Sequence, residues 1–137
     1  MIQRIQTLYL IMTILLSVLF LTGRMIVIEK DAEVIHQGMV VPLAVTAALI
    51  ALISAVSIFL YKNRKQQMKL AIILIILSSV LTAALVIYGF ILTSQNGGRI
   101  RLNLSIILPF PMIITSLLAY RGIKKDEELV RSYDRLR

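Results

Sequence analysis

Apolar residues along this chain fall into four long runs separated by short polar pieces. The runs are Ile5 to Thr22, Met39 to Tyr61, Leu70 to Thr93 and Leu104 to Tyr120. A helix needs about 20 apolar residues to cross a hydrocarbon core of about 30 Å, and each run meets or nears that length. The pattern therefore predicts an all-α integral membrane protein, a four-transmembrane-helix bundle forming one membrane domain over residues 1–137. The fourth run carries Leu108-Pro109-Phe110-Pro111. Each proline lacks a backbone donor and biases the residue before it away from helix, so regular helix is expected to start near Pro109 to Pro111, after extended chain. From Pro111 to Tyr120 such a helix is only about 15 Å long at 1.5 Å per residue. It is expected to run past Arg121, giving a fourth span of about 104–124, with Gly122 as a candidate hinge and a cytoplasmic tail over 121–137.

The polar pieces carry their own signals. Met25-Ile26-Val27-Ile28-Glu29 is largely β-branched, Lys30-Asp31-Ala32 breaks it, and Glu33-Val34-Ile35-His36 resumes. Such a run predicts a short hairpin. After the turn residues Gly97-Gly98, the stretch from Arg99 to Leu104 alternates polar with apolar, the signature of a half-buried strand. Together the two loops predict a small extracytoplasmic β cap.

Composition agrees with the pattern. The chain is 58% hydrophobic and 16% charged, well away from the roughly half apolar and about one quarter charged of soluble domains. It has no cysteine, which removes disulfides and thiolate chemistry. Arg4 before an apolar run resembles the start of a signal peptide, but the run is long and Leu21-Thr22-Gly23-Arg24 lacks a small-x-small cleavage pattern. An uncleaved first helix is expected, with the mature protein beginning at or next to Met1.

Charge distribution then orients the spans. With both termini cytoplasmic, 11 of the 15 basic residues lie inside: Arg4, four in the middle loop and six in the tail. Arg24, Lys30, Arg99 and Arg101 lie outside. Short loops rich in Lys and Arg stay cytoplasmic, so the asymmetry sets both termini on the cytoplasmic side. Arg4, Lys62, Arg64, Lys65, Lys69, Arg121, Lys124 and Lys125 are the candidate membrane-surface anchors. The net charge of +8 is thus a topology signal. A nucleic-acid partner is not expected, because the charges are dispersed and no aromatic stacking platform accompanies them.

Within the spans the polar residues are hydroxyls: Thr13, Ser17, Thr46, Ser54, Ser57, Ser78, Ser79, Thr82, Ser105, Thr115 and Ser116. No ionisable group lies near the middle of any span, which argues against a pump or coupled exporter, since such groups mark ion and proton paths. Ala44, Ala47, Ala48, Ala51 and Ala55 place small residues at i, i+4 on the second span, where helix backbones approach closely. The expectation is packing within one bundle, with docking of another membrane subunit as the alternative. His36 is the only histidine, in the first outer loop, and lacks a partner set for catalysis or metal binding. No catalytic residue, metal ligand or cofactor is expected, and the chain is not read as an enzyme.

The tail, RGIKKDEELVRSYDRLR, mixes six bases with four acids. On a helix, Leu129, Val130, Tyr133 and Leu136 form one apolar stripe, while Lys124 with Glu128 and Glu127 with Arg131 are opposite charges at i, i+4. On a short amphipathic helix leaving the membrane, the first expectation is that the tail folds back on the bilayer or on the middle loop as a topology anchor; in the alternative the stripe is a candidate partner-docking surface. Balanced charge makes it a weak lipid magnet.

The segments IQRIQTLYL, YKNRKQQMKL and RGIKKDEELVRSYDRLR resemble the cytoplasmic signatures of an uncharacterised family of small four-span proteins in Gram-negative envelopes. The resemblance covers the whole chain and implies an inner-membrane protein of four helices, with no activity, substrate or cofactor. The leading expectation is a non-enzymatic accessory or scaffold subunit of a bacterial inner-membrane complex. Its partners would be the lipid bilayer and another membrane protein or further copies of itself. The alternative is a small oligomeric channel or carrier for an uncharged or lipid-like substrate. A continuous polar groove would favour the carrier, and a tightly packed bundle the subunit.

Overall fold

A computed structural model describes residues 3–22, 33–95 and 107–135. These form four helices: α1 (Gln3–Thr22), α2 (Glu33–Phe59), α3 (Arg64–Gln95) and α4 (Pro109–Arg135). α1 packs on α2 and α4, and α3 packs on α2 and α4, so the helices stand at the corners of a square in chain order. Successive helices alternate in direction. The start of α1, the α2–α3 connection and the later part of α4 consequently meet at one end, called here the terminal end, and the three basic clusters of the sequence gather there.

The inward face of every helix follows one rule. Buried positions are Gln6, Leu10, Thr13, Ser17 and Phe20 on α1, and Leu43, Ala47, Ile50, Ser54 and Ser57 on α2. On α3 they include Gln67, Ala71, Leu74, Ser78, Leu81, Leu85 and Tyr88, and on α4 Pro109, Met112, Ser116, Ala119, Ile123 and Asp126. Steps of three and four alternate throughout, the 3.5-residue period of knobs-into-holes packing. About half of these positions are Gln, Ser, Thr, Asp or Ala. The outward positions hold large apolar residues instead, among them Phe59 at 81% and Phe90 at 78% exposure. Lipid tails are as apolar as leucine, so small inward residues that let helices approach contribute more than inward bulk does. Alternating small residues with Leu10, Phe20, Ile50, Leu74, Leu81 and Met112 fills the axis of the bundle.

Three of the helices, α1, α2 and α3, are long and apolar enough to cross a membrane. α4 meets that length only by adding charged residues, since its apolar part ends at Tyr120 and Arg121 follows. It starts at Pro109, as the prolines predict: the first helical N–H groups have no partner in the helix, so Pro109 and Pro111 remove nothing there. The tail is a direct continuation of α4 to Arg135 and not a separate helix. Gly122 is regular helix within it, so the expected hinge is absent.

Other expectations also need correction. Glu33 to His36 are the first turn of α2 and not a strand, which places the histidine on a helix rather than in a loop. Among the described residues there is no strand. The remaining parts of the expected β cap, Met25 to Glu29 and Arg99 to Leu104, lie outside the described residues, as do Ser105 and Leu136. The middle loop is also shorter than expected. After a 3-10 turn over Leu60–Lys62, Asn63 caps α3: its Oδ1 accepts from the Gln66 N–H at 3.4 Å and its carbonyl from the Gln67 N–H at 3.0 Å. A side-chain acceptor at this position satisfies one of the helix's orphan donors. The helix therefore begins at Arg64, six residues before the apolar run at Leu70.

Candidate functional site

Polar side chains in the body of the bundle mostly satisfy themselves. Thr13 donates to the Tyr9 carbonyl at 3.0 Å, Ser17 to Ile14 at 2.8 Å, Ser78 to Ile75 at 3.0 Å, Thr82 to Ser78 at 2.7 Å and Ser116 to Met112 at 2.8 Å. Each bond stays within one helix, three or four residues back, as hydroxyls in helices commonly do. One links two helices, between the Thr13 and Thr115 hydroxyls at 2.9 Å across α1 and α4. The Ser54 and Ser57 hydroxyls, buried on the inward face of α2, have no hydrogen-bond partner among the described residues.

The terminal end is built differently. Gln6 on α1, Gln67 on α3 and Asp126 on α4 are buried there, at 5%, 5% and 7% exposure. Gln67 Nε2 donates to the Ser57 carbonyl on α2 at 3.1 Å, joining the two arms of the α2–α3 hairpin. Arg64 Nη1 donates to the Asp126 carbonyl at 3.3 Å, joining that hairpin to α4. Gln6 lies over Gly122, where a Cβ would come within 2.8 Å of Gln6 Cγ. Glycine at 122 is therefore a close-approach residue between α1 and α4. Gln6, Thr7, Tyr61, Arg64, Gln67, Ile123 and Asp126 surround a small cavity of about 20 Å³. All four helices thus meet in one polar latch, and its residues come from the three segments that stood out in the sequence.

Several sequence candidates take other places. Arg64 is turned onto the bundle, while Lys65, Lys69, Arg121, Lys124 and Lys125 are exposed. Arg4 and Lys62 sit at the terminal end by position in their elements. On the α4 extension, Leu129 and Val130 are exposed at 40% and 42%, and Tyr133 lies one turn further on. Lys124 Nζ stands 3.9 Å from a Glu128 carboxylate oxygen, the expected i, i+4 pair, with both side chains more than half exposed. On α2, Ala47 faces inward with Ser54 and Ser57, while Ala44, Ala48, Ala51 and Ala55 flank the packed face half-buried.

Sequence reasoning missed Gln6 and Gln67, read Gly122 as a hinge rather than a close-approach residue, and treated Asp126 only as a tail charge. The available signal was their phase: each of Gln6, Gln67 and Asp126 continues the three-four spacing of a run of small or hydroxyl residues on its own helix. A second feature lies nearer the opposite end, a largely apolar cavity of about 460 Å³ between α2 and α3 lined by Pro42, Leu43, Thr46, Val80, Leu81, Ala84 and Tyr88. Among the described residues, no group of three or more His, Asp and Glu is placed to hold a metal ion.

No curated protein and no solved structure matches the chain. A family model does match, over residues 2–136, and it spans all four helices together with the latch and the α4 extension. The chain therefore belongs to DUF4293, a family described as a domain of unknown function.

Proposed function

We propose that the chain is a non-enzymatic accessory or scaffold subunit of a bacterial inner-membrane complex, with both termini in the cytoplasm and the α4 extension as its contact surface. The observation that carries this reading is the unbroken course of α4 past the latch. Gln6, Arg64 and Asp126 lie level around one cavity, and α4 continues nine residues beyond Asp126, about 13 Å at 1.5 Å per residue. Leu129 and Val130 stand exposed on this projection. Apolar residues presented on a charged helix suit an amphipathic contact with another protein. The large apolar side chains packed along the axis of the bundle favour this reading over a pore.

The test is a paired substitution, Leu129→Asp with Tyr133→Asp, in the full chain. Charge placed on a buried contact is left desolvated without a mate, so proteins that co-purify with the unaltered chain from its own membrane should be lost. The variant should remain in the membrane, because its spans and orienting charges are intact. Unchanged co-purification would refute the contact surface. Orientation is tested separately: Gln66→Cys and Ser132→Cys should react with an impermeant thiol reagent only after permeabilisation, and Glu33→Cys from outside without it.

The α2–α3 cavity supports a second reading, a carrier for an uncharged or lipid-like substrate. Its volume lies within the roughly 300–1,000 Å³ of small-molecule sites. Filling it with Ala84→Phe should abolish a carrier activity and leave a scaffold's complex intact.

A further inference from the structure

The bundle leaves a gap between α2 and α3 in the half opposite the latch. On α3, Leu70, Leu77 and Ala84 recur every seven residues in the phase that faces α2, and each is half-buried. Two are bulky and the third is alanine, so the filling that Leu70 and Leu77 supply lapses at Ala84. The cavity of about 460 Å³ opens there. Pro42 and Val80 stand exposed at its mouth, while Leu43 and Tyr88 lie mostly buried along its wall. Both helices are long and apolar enough to cross a membrane, and the cavity falls inside those stretches, Val41–Phe59 and Arg64–Ile91. In a bilayer its mouth therefore meets hydrocarbon. We propose that the cavity binds one acyl chain of a bilayer phospholipid, from the leaflet opposite the latch.

Length, width and chemistry select a lipid chain over other occupants. From Val80 to Tyr88 the cavity follows α3 for about 12 Å at 1.5 Å per residue. One leaflet is half of a hydrocarbon core of about 30 Å, so a chain lying along the helices is about 15 Å long and the cavity holds most of it. A volume of about 460 Å³ over about 12 Å gives a mean cross-section of about 40 Å². A helix with its side chains is about 10 Å across, or about 80 Å² in section, and does not fit. Apart from Thr46 and Tyr88 the lining side chains are hydrocarbon, and the Thr46 hydroxyl already donates to the Leu43 carbonyl at 2.8 Å. A charged ligand would be desolvated there without a partner. The inference deepens the second reading above by naming what the cavity takes, and a chain can occupy it whether or not it is carried.

The test places the full chain in phospholipid nanodiscs doped with a phospholipid that carries a photoreactive diazirine midway along one chain. After photolysis, peptide mass spectrometry compares insertion at Thr46 and Ala84 with insertion at Leu19 and Ile114, which are exposed on α1 and α4 in the same half of the bundle. The expected result is several-fold more insertion at Thr46 and Ala84. Equal or lower insertion there, the mark of lipid that only passes by, overturns the proposal. Loss of insertion together with a dimer mass also overturns it, since a second copy then covers the cavity. Ala84→Leu continues the run of Leu70 and Leu77 and should lower insertion at Thr46 to the level of Leu19 and Ile114, with the unfolding midpoint maintained. A folded variant that keeps the high insertion overturns the proposal. Absence of any transport would remove the carrier reading and leave the occupancy result standing.

Discussion

The body of the bundle and its terminal end solve the same problem by different means. In the body, Thr13, Ser17, Ser78, Thr82 and Ser116 bond back to their own helices and the Ser54 and Ser57 hydroxyls have no partner among the described residues, so most of the polar chemistry says nothing about which helix stands beside which. Neighbours are chosen there by shape, small residues against large ones, with Thr13 and Thr115 as a polar cross-link between α1 and α4. At the terminal end the buried side chains are longer, and they reach across helices: Gln67 to α2 and Arg64 to α4. A glutamine or arginine can span the gap between helices, whereas a serine on a helix finds its own carbonyl first. The comparison teaches that the body is built for close packing and the end for register.

The largest effect that could break this comparison is overpacking the body. Ala47 is fully buried on α2, and Ala47→Phe should destabilise the bundle by about 1–3 kcal/mol, read as a lowered unfolding midpoint in detergent. An unchanged midpoint would mean that the body is not held by shape. Next comes Gln67→Leu at the end, which leaves the buried Ser57 carbonyl without its donor and should cost about 1 kcal/mol. No loss would remove the register role assigned to the end.

A smaller effect sharpens the exception within the body. A double-mutant cycle of Thr13→Ala with Thr115→Ala should return a coupling of about 0.6 kcal/mol, the scale found for polar contacts between membrane helices. The same cycle on Thr13 and Ser78, which are each bonded within their own helix, should return a coupling near zero. The smallest expected effect lies outside both regions. Lys124→Gln removes an exposed i, i+4 partner of Glu128 and should change stability by no more than about 0.2–0.5 kcal/mol, a change that salt screens.

How far the fold was legible follows from particular residues. The three longer apolar runs mark α1, α2 and α3 because the membrane demands length and apolarity, both visible without tertiary context. Pro109 marks the start of α4 for a backbone reason equally local. The misreadings lie at the boundaries. Val34 and Ile35 favour strands by propensity, yet they stand in the first turns of α2, where helix continuity overrode propensity. Lys65, Gln66 and Lys69 read as a solvated loop because hydropathy falls there, although Asn63 had already capped a helix through them.

By itself the sequence determined the helical class, the approximate spans and the gathering of charge, because these depend on composition and local backbone chemistry along one strand of chain. Inward and outward faces were hidden, since in an apolar segment both are greasy and the usual contrast between buried apolar and exposed polar residues disappears. Only the tertiary structure decided that Gln6, Gly122, Arg64, Gln67 and Asp126 share one latch. They are brought together by antiparallel packing of helices whose partners lie some 60 to 120 residues apart in sequence, and no local signal encodes which neighbour a glutamine will face.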